Sequence, residues 1–270
     1  MTKQIMKYFD PVKKQLIFIN QKATPDFWDS RWQAGKTIRD EIFKIKNTFA
    51  SRITKQYLNP KDGIILEGGC GQGKIVASLV NNGYKIIGLD YAKKTVKMLN
   101  KYIPEWDIRF GDVRDLPFAD NFFIGYWSLG VIEHFYEGYQ PIAQEMQRVI
   151  KDGGYLFLTF PHMSCLRKIK SILGFYQFWP KRKSKNDFYQ FALNSKLVIR
   201  DFQKLGFKFI KARNIDGIRG IKEEIPALWP SLKKLYDYRG DNVLIKIIKL
   251  GIALAAAPVA GHVRMLVFKK

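Results

Sequence analysis

Between residues 63 and 160, short apolar runs alternate with stretches of helical periodicity, and this constrains the fold more than any other feature of the chain. Gly63–Glu67, Lys85–Asp90, Asp107–Gly111, Phe122–Ser128 and Gly154–Phe160 read as strands. Lys74–Asn82, Ala92–Tyr102 and Pro141–Ile150 read as helices. Strands alternating with helices of this length imply an α/β chain whose parallel sheet is covered on both faces. Ligands of such a sheet sit outside the carboxyl ends of its strands.

The flanks are less regular. Residues 1–60 read as an N-terminal helical cap, with Ile42, Phe43, Ile45, Phe49, Ile53 and Leu58 on one face of a helix from Ile38 to Leu58 and Asn59-Pro60 ending it. Residues 61–270 read as the main domain, with insertions at 162–187 and 214–262. A helix near Leu193–Leu205 and strands at Phe207–Arg213 and Val263–Phe268 resume the alternation around them. His162–Asn186 carries seven Lys/Arg and no acid, interleaved with aromatic and aliphatic residues. The second insertion contains "VLIKIIKLGIALAAA", Val243–Ala257. With Lys246 and Lys249 inside it, this stretch reads as too short and too charged to span a bilayer, and so as a buried or an interfacial helix.

Composition sets the bounds. A chain of 270 residues that is 47% hydrophobic supports one packed domain with elaborations. Two cysteines, Cys70 and Cys165, cannot form a disulfide framework, and no apolar signal core opens the chain; a reduced, cytoplasmic protein is expected. The net charge of +22 fits nucleic acid, an anionic membrane surface, or simply a lysine-rich solvated surface. No RNA-binding module is recognisable, which disfavours nucleic acid. The histidines at 134, 162 and 262 offer no paired ligand spacing, so no metal site is expected.

The first strand runs into "ILEGGCGQGK", Ile65–Lys74, with four glycines in six positions. A phosphate-binding loop would need Ser or Thr after Lys74, where Ile75 stands. A dinucleotide fingerprint would need glycine at 74 after Gly69 and Gly71. The spacing present is Gly69-Cys70-Gly71-Gln72-Gly73, preceded by the carboxylate of Glu67. A carboxylate repels pyrophosphate and favours a cation. That leaves a nucleoside cofactor with positive charge, such as S-adenosylmethionine, whose amino-acid and ribose parts a bare backbone can approach closely. Asp90 ends the second strand, where its two oxygens suit both ribose hydroxyls. Asp112, in "GDVRDLPF", lies just past the third, suited to the adenine amino group.

Taken in order, "ILEGGCGQG", "GLDYA", "GDVRDLPF", "SLGVIEHF" and "RVIKDGGYLFLTFP" resemble the motifs of class I S-adenosylmethionine-dependent methyltransferases, over about Gly63 to Phe160. The subgroup it is most similar to acts in bacterial and archaeal polysaccharide and glycolipid modification. Two departures stand out. Ile124 replaces an Asp common before the fourth strand, and "KDGG" replaces "KPGG". The resemblance implies a doubly wound, seven-stranded, mostly parallel Rossmann-like sheet with its last strand antiparallel. It also implies S-adenosyl-L-methionine as cofactor, held by Glu67, Gly69, Cys70, Gly71, Gly73, Asp90, Tyr91, Asp112, Val113, Ser128 and Leu129. His134 is the candidate general base, or else positions its loop. His162 faces the same edge as a lesser candidate. Trp28 and Trp32, four apart, either close the cofactor pocket or pack as a cap. The expected acceptor is a small molecule, sugar or glycolipid, methylated at a hydroxyl, with peripheral contact to an anionic membrane as a further expectation. RNA or protein methylation, or cofactor binding without catalysis, are the alternatives.

Overall fold

The computed structural model describes residues 5–33, 44–180 and 187–270. Its strands are β1 (Met6–Asp10), β2 (Gln15–Ile19), β3 (Ile64–Gly68), β4 (Lys85–Asp90), β5 (Asp107–Phe110) and β6 (Phe123–Leu129), then β7 (Ile150–Pro161), β8 (Gln177–Phe178), β9 (Phe188–Ala192), β10 (Lys208–Ile215) and β11 (Val263–Lys269). Its helices are α1 (Pro25–Gln33), α2 (Phe49–Thr54), α3 (Lys74–Val80), α4 (Lys93–Tyr102) and α5 (Gln140–Val149), then α6 (Cys165–Ile172), α7 (Ser195–Lys204), α8 (Gly217–Glu224), α9 (Trp229–Asp237) and α10 (Val243–Ala260).

The main sheet has seven strands in the order β10-β11-β7-β6-β3-β4-β5. The pairs from β7 through β5 are parallel, and β11 is antiparallel to both neighbours. Side-chain alternation divides the core between the two faces. Leu66, Tyr126, Leu158 and Leu266 enter one cluster; Ile65, Trp127, Phe157 and Val267 enter the other. Trp127 stacks on Phe157 at 4.6 Å and donates its indole N–H to Thr54 of α2 at 2.9 Å, so α2 is fixed to the sheet. Ile124 packs on that same cluster. Because β4 and β6 flank β3 on opposite sides, the chain reverses direction across the sheet at β3, which opens a crevice at its carboxyl end.

The N-terminal segment departs from the expected helical cap. Residues 6–19 form an antiparallel hairpin within a second sheet, β8-β1-β2-β9. Every residue of β2 is buried, and its partner β9 lies some 170 residues away, so neither strand has a local signal. The helix expected from Ile38 to Leu58 is also shorter. Thr48 and Ser51 make a reciprocal capping box that starts α2 at Phe49; residues 34–43 lie outside those described. The first insertion contributes α6 and β8 and leads into β9; the second folds into α8, α9 and α10. The buried carboxylate of Glu224 joins them to the hairpin. It accepts from Lys7 at 2.8 Å, Arg167 at 2.9 Å, Lys170 at 3.1 Å and Tyr176 at 2.6 Å. The alternative of a buried core helix at 243–257 is not borne out. α10 runs 18 residues to Ala260, and most of its large side chains are exposed.

Candidate active site

The turn after β3 needs its glycines. Gly69, Gly71 and Gly73 all have positive φ, at 78°, 51° and 71°. A Cβ on Gly69 would stand 2.5 Å from Val131, and one on Gly71 would stand 3.0 Å from the Trp32 ring. The Gly69 and Cys70 N–H groups donate to Leu89 O at 2.7 and 3.0 Å, which draws the turn over the end of β4. There Asp90, 5% exposed, accepts the Gly71 N–H on Oδ2 at 2.7 Å and the Ala92 N–H on Oδ1 at 2.8 Å. Burial raises its pKa, and these backbone hydrogen bonds oppose the rise. Each oxygen keeps a lone pair for a further donor.

Along this edge runs a cleft. It brings together Gly69, Asp90, Tyr91, Asp112, Val113, Leu129 and His134 of the expected residues, with Trp28, Trp32, Gly111, Gly130, Val131 and Phe135. Trp28 and Trp32 stack at 5.6 Å and lie on the cleft wall. Tyr91 donates its hydroxyl to Ala23 O at 2.9 Å, and burial pushes its pKa up to about 12. Burial raises the Asp112 carboxyl, but the Arg114 side chain and backbone N–H more than offset this and hold it below the usual range.

Glu67, Cys70, Gly71, Gly73 and Ser128 do not line the cleft. Glu67 is 3% exposed, and its Oε2 accepts the Val76 N–H at 3.2 Å, in the first turn of α3. Burial raises its pKa well above the ordinary value. Cys70 is buried, which pushes its thiol up. Gly71 and Gly73 shape the turn. Ser128 is fully buried, and among the described residues its Oγ has no hydrogen-bond partner. His162 also stands off the wall, buried, with Nδ1 3.4 Å from Ser195 Oγ.

His134 lies in a short 3-10 turn at Ile132–His134 that follows β6. Its Nδ1 is 2.9 Å from the carbonyl oxygen of Tyr189, so in the neutral ring Nδ1 carries the proton and Nε2 is bare. Burial lowers its pKa to about 4, which keeps the ring neutral at pH 7. Glu133 Oε1 lies 3.9 Å from Nε2, and burial raises Glu133 to about 8.

Sequence reasoning passed over Tyr189, Glu133 and Asp29. Asp29 is 4% exposed on α1 and accepts the N–H of Lys94 at 3.2 Å and of Thr95 at 2.8 Å. An anion at the start of α4 is favoured by its free N–H groups and dipole, and here it seats the tryptophan helix on the domain. An acid followed three residues later by Trp32 gives no recognisable signal at that distance from α4.

A cleft lined in this way suits a nucleoside with an amino-acid tail. Its carboxylate walls, Asp90 and Asp112, suit hydroxyl and amino donors and would repel phosphates. Residues 66–158 match the family described as a methyltransferase domain. A Mycolicibacterium smegmatis protein named as a probable S-adenosylmethionine-dependent methyltransferase is 33% identical over 98 residues, which is 36% of this chain and 38% of that protein. An uncharacterized Methanocaldococcus jannaschii protein is 25% identical over 248 residues, 84% of this chain and 99% of the relative. The crystal structure of an S-adenosylmethionine-dependent methyltransferase from Archaeoglobus fulgidus superposes with a TM-score of 0.52 at 16% identity, covering 92% of this chain and 95% of that one. The domain built on β3–β7 is that of an S-adenosylmethionine-dependent methyltransferase with the class I fold, and its cofactor is S-adenosyl-L-methionine.

Proposed function

We propose that the protein transfers a methyl group to a hydroxyl oxygen of a small-molecule, sugar or lipid-linked acceptor, with His134 as general base. The observation that carries this reading is the Nδ1 contact of His134 with the Tyr189 carbonyl, which leaves Nε2 as a proton acceptor at the cleft. Asp90 holds the ribose hydroxyls through its remaining lone pairs. Asp112 and Val113 border the adenine, and Gly69, Leu129 and the glycine turn border the amino-acid part. Glu67 and Ser128 act from behind the wall, by holding the first turn of α3 and the end of β6. S-adenosylmethionine supplies an electrophilic methyl on a sulfonium that leaves as a neutral thioether. His134 Nε2 takes the acceptor's hydroxyl proton as the new O–C bond forms. Trp28 and Trp32 cover the cleft and exclude water, so the chain chiefly supplies orientation and desolvation.

The test uses methyl-labelled cofactor and a panel of hydroxylated acceptors. His134→Ala should bind S-adenosylhomocysteine as the parent does and lose about 100-fold or more in kcat. With the base pKa near 4, the parent's rate should be flat from about pH 5.5 to 8 and fall below about pH 5. Full activity of His134→Ala would remove the base from the mechanism.

A further inference from the structure

A helix on the surface of a domain normally turns its polar side outward. α10 does the reverse. Its inner line, through Ala253, Ala256, Ala257 and Ala260, is pressed so closely on α8 that a Cβ on Gly217 or Gly220 would collide with α10 backbone atoms. Its outer line carries Leu244, Ile247, Leu250 and Leu254, each between 59% and 65% exposed. No charged residue lies on that line between Ile247 and Pro258; Lys246 and Lys249 flank it on the N-terminal side, with Lys249 turned to the carbonyls of Tyr236 and Tyr238. α6 packs on α10, and its last residue, Ile172, and Phe175 beyond it are 83% and 68% exposed.

We infer that this face docks on an anionic bilayer, with α10 lying in the plane of the interface. By length and composition Val243–Ala260 could cross a membrane. Its position argues otherwise: Ala260 is buried against α8, and three residues later the chain enters β11, which is paired on both sides within the main sheet. The helix is therefore held along the domain surface, where its outer line can enter the acyl boundary, with Lys246, paired with Asp241 at 3.0 Å, at its N-terminal end.

Charge selects the occupant. The chain carries +22, and residues 162–180, which include α6, hold no acid; Arg167 and Lys170 there are turned to Glu224, and Lys168 is exposed. A second copy of the chain would bring the same charge to the contact and be repelled. A nucleic acid would satisfy the charge but leave the outward leucines without an apolar partner. An anionic lipid surface supplies both the negative potential and the hydrocarbon. The inference is independent of the acceptor's identity and of His134.

The test is co-sedimentation of the full chain with phosphatidylcholine vesicles and with vesicles that also contain phosphatidylglycerol. The comparison variant is L244Q/I247Q/L254Q, whose fold is checked by its melting temperature and by S-adenosylhomocysteine binding. The chain should bind the anionic vesicles, bind neutral ones far more weakly, and lose affinity as salt rises. The triple variant should keep its fold and lose about tenfold or more in vesicle affinity. Absence of binding to the anionic vesicles would overturn the inference. So would equal binding by a folded triple variant, or a dimer in sedimentation equilibrium that the variant abolishes.

Discussion

Asp90 shows how one side chain builds the site as well as lining it. Its two oxygens fix the N–H groups of Gly71 and Ala92, so the glycine turn and the start of α4 share a single anchor. Its position at the end of the second strand is legible in the sequence. Glu133 is not: nothing in "VIEHF" distinguishes a solvated acid from a buried one, and only the fold places it at 2% exposure, with no hydrogen-bond partner for Oε2 among the described residues. Its pKa of about 8 in the folded chain, against 4.5, means that the folded state holds a proton that the unfolded chain releases. That contribution to stability is present at low pH and is lost as pH rises toward 8. Glu133→Gln stays neutral at every pH. The variant's melting temperature relative to the parent should therefore climb between pH 5 and 8, reaching several degrees; a gap that does not change with pH would contradict the burial of this carboxyl.

At the scale of elements, α1 is a lid held by one buried acid. Asp29→Ala would remove the acceptor for the Lys94 and Thr95 N–H groups, and should cost about 1–2 kcal/mol in denaturant unfolding. Because Trp28 and Trp32 ride on the same helix, it should also weaken S-adenosylhomocysteine binding in calorimetry. Unchanged binding would mean that α1 does not close the cleft. The strands β3 to β7 and their helices were readable because each lies within a short, locally periodic stretch, and because the glycine turn joins β3 to α3 with a distinctive spacing. The hairpin at residues 6–19 was not, since β2 is completed by β9 from the far side of the methyltransferase domain. α10 was legible only as two alternatives, a buried helix or an interfacial one. Its apolar composition reads like a core helix, and periodicity does not reveal that its contact line is made of alanines while its leucines face outward.

At the scale of the whole molecule, the excess of positive charge is not carried into the interior uncompensated. Arg167, 1% exposed, meets Glu224 at 2.9 Å, and Glu224 also takes Lys7, Lys170 and Tyr176. This cluster ties the N-terminal hairpin to both insertions around the domain. Breaking a buried pair costs more than the pair contributes, because a bare charge is left behind. Glu224→Gln should destabilise the chain by about 3 kcal/mol in denaturant unfolding. A change below about 0.5 kcal/mol, the range of surface substitutions, would show that the cluster is not structural. All of these assignments assume that the cleft at the carboxyl edge of β3 and β4 is where the cofactor sits. Calorimetric titration with S-adenosylhomocysteine, on the parent and on Asp90→Ala, with NADH and ATP as controls, tests that most directly. The parent should bind S-adenosylhomocysteine and neither control, and Asp90→Ala should weaken the binding by about 1–3 kcal/mol. Absence of binding by the parent, or binding indifferent to Asp90, would contradict the account.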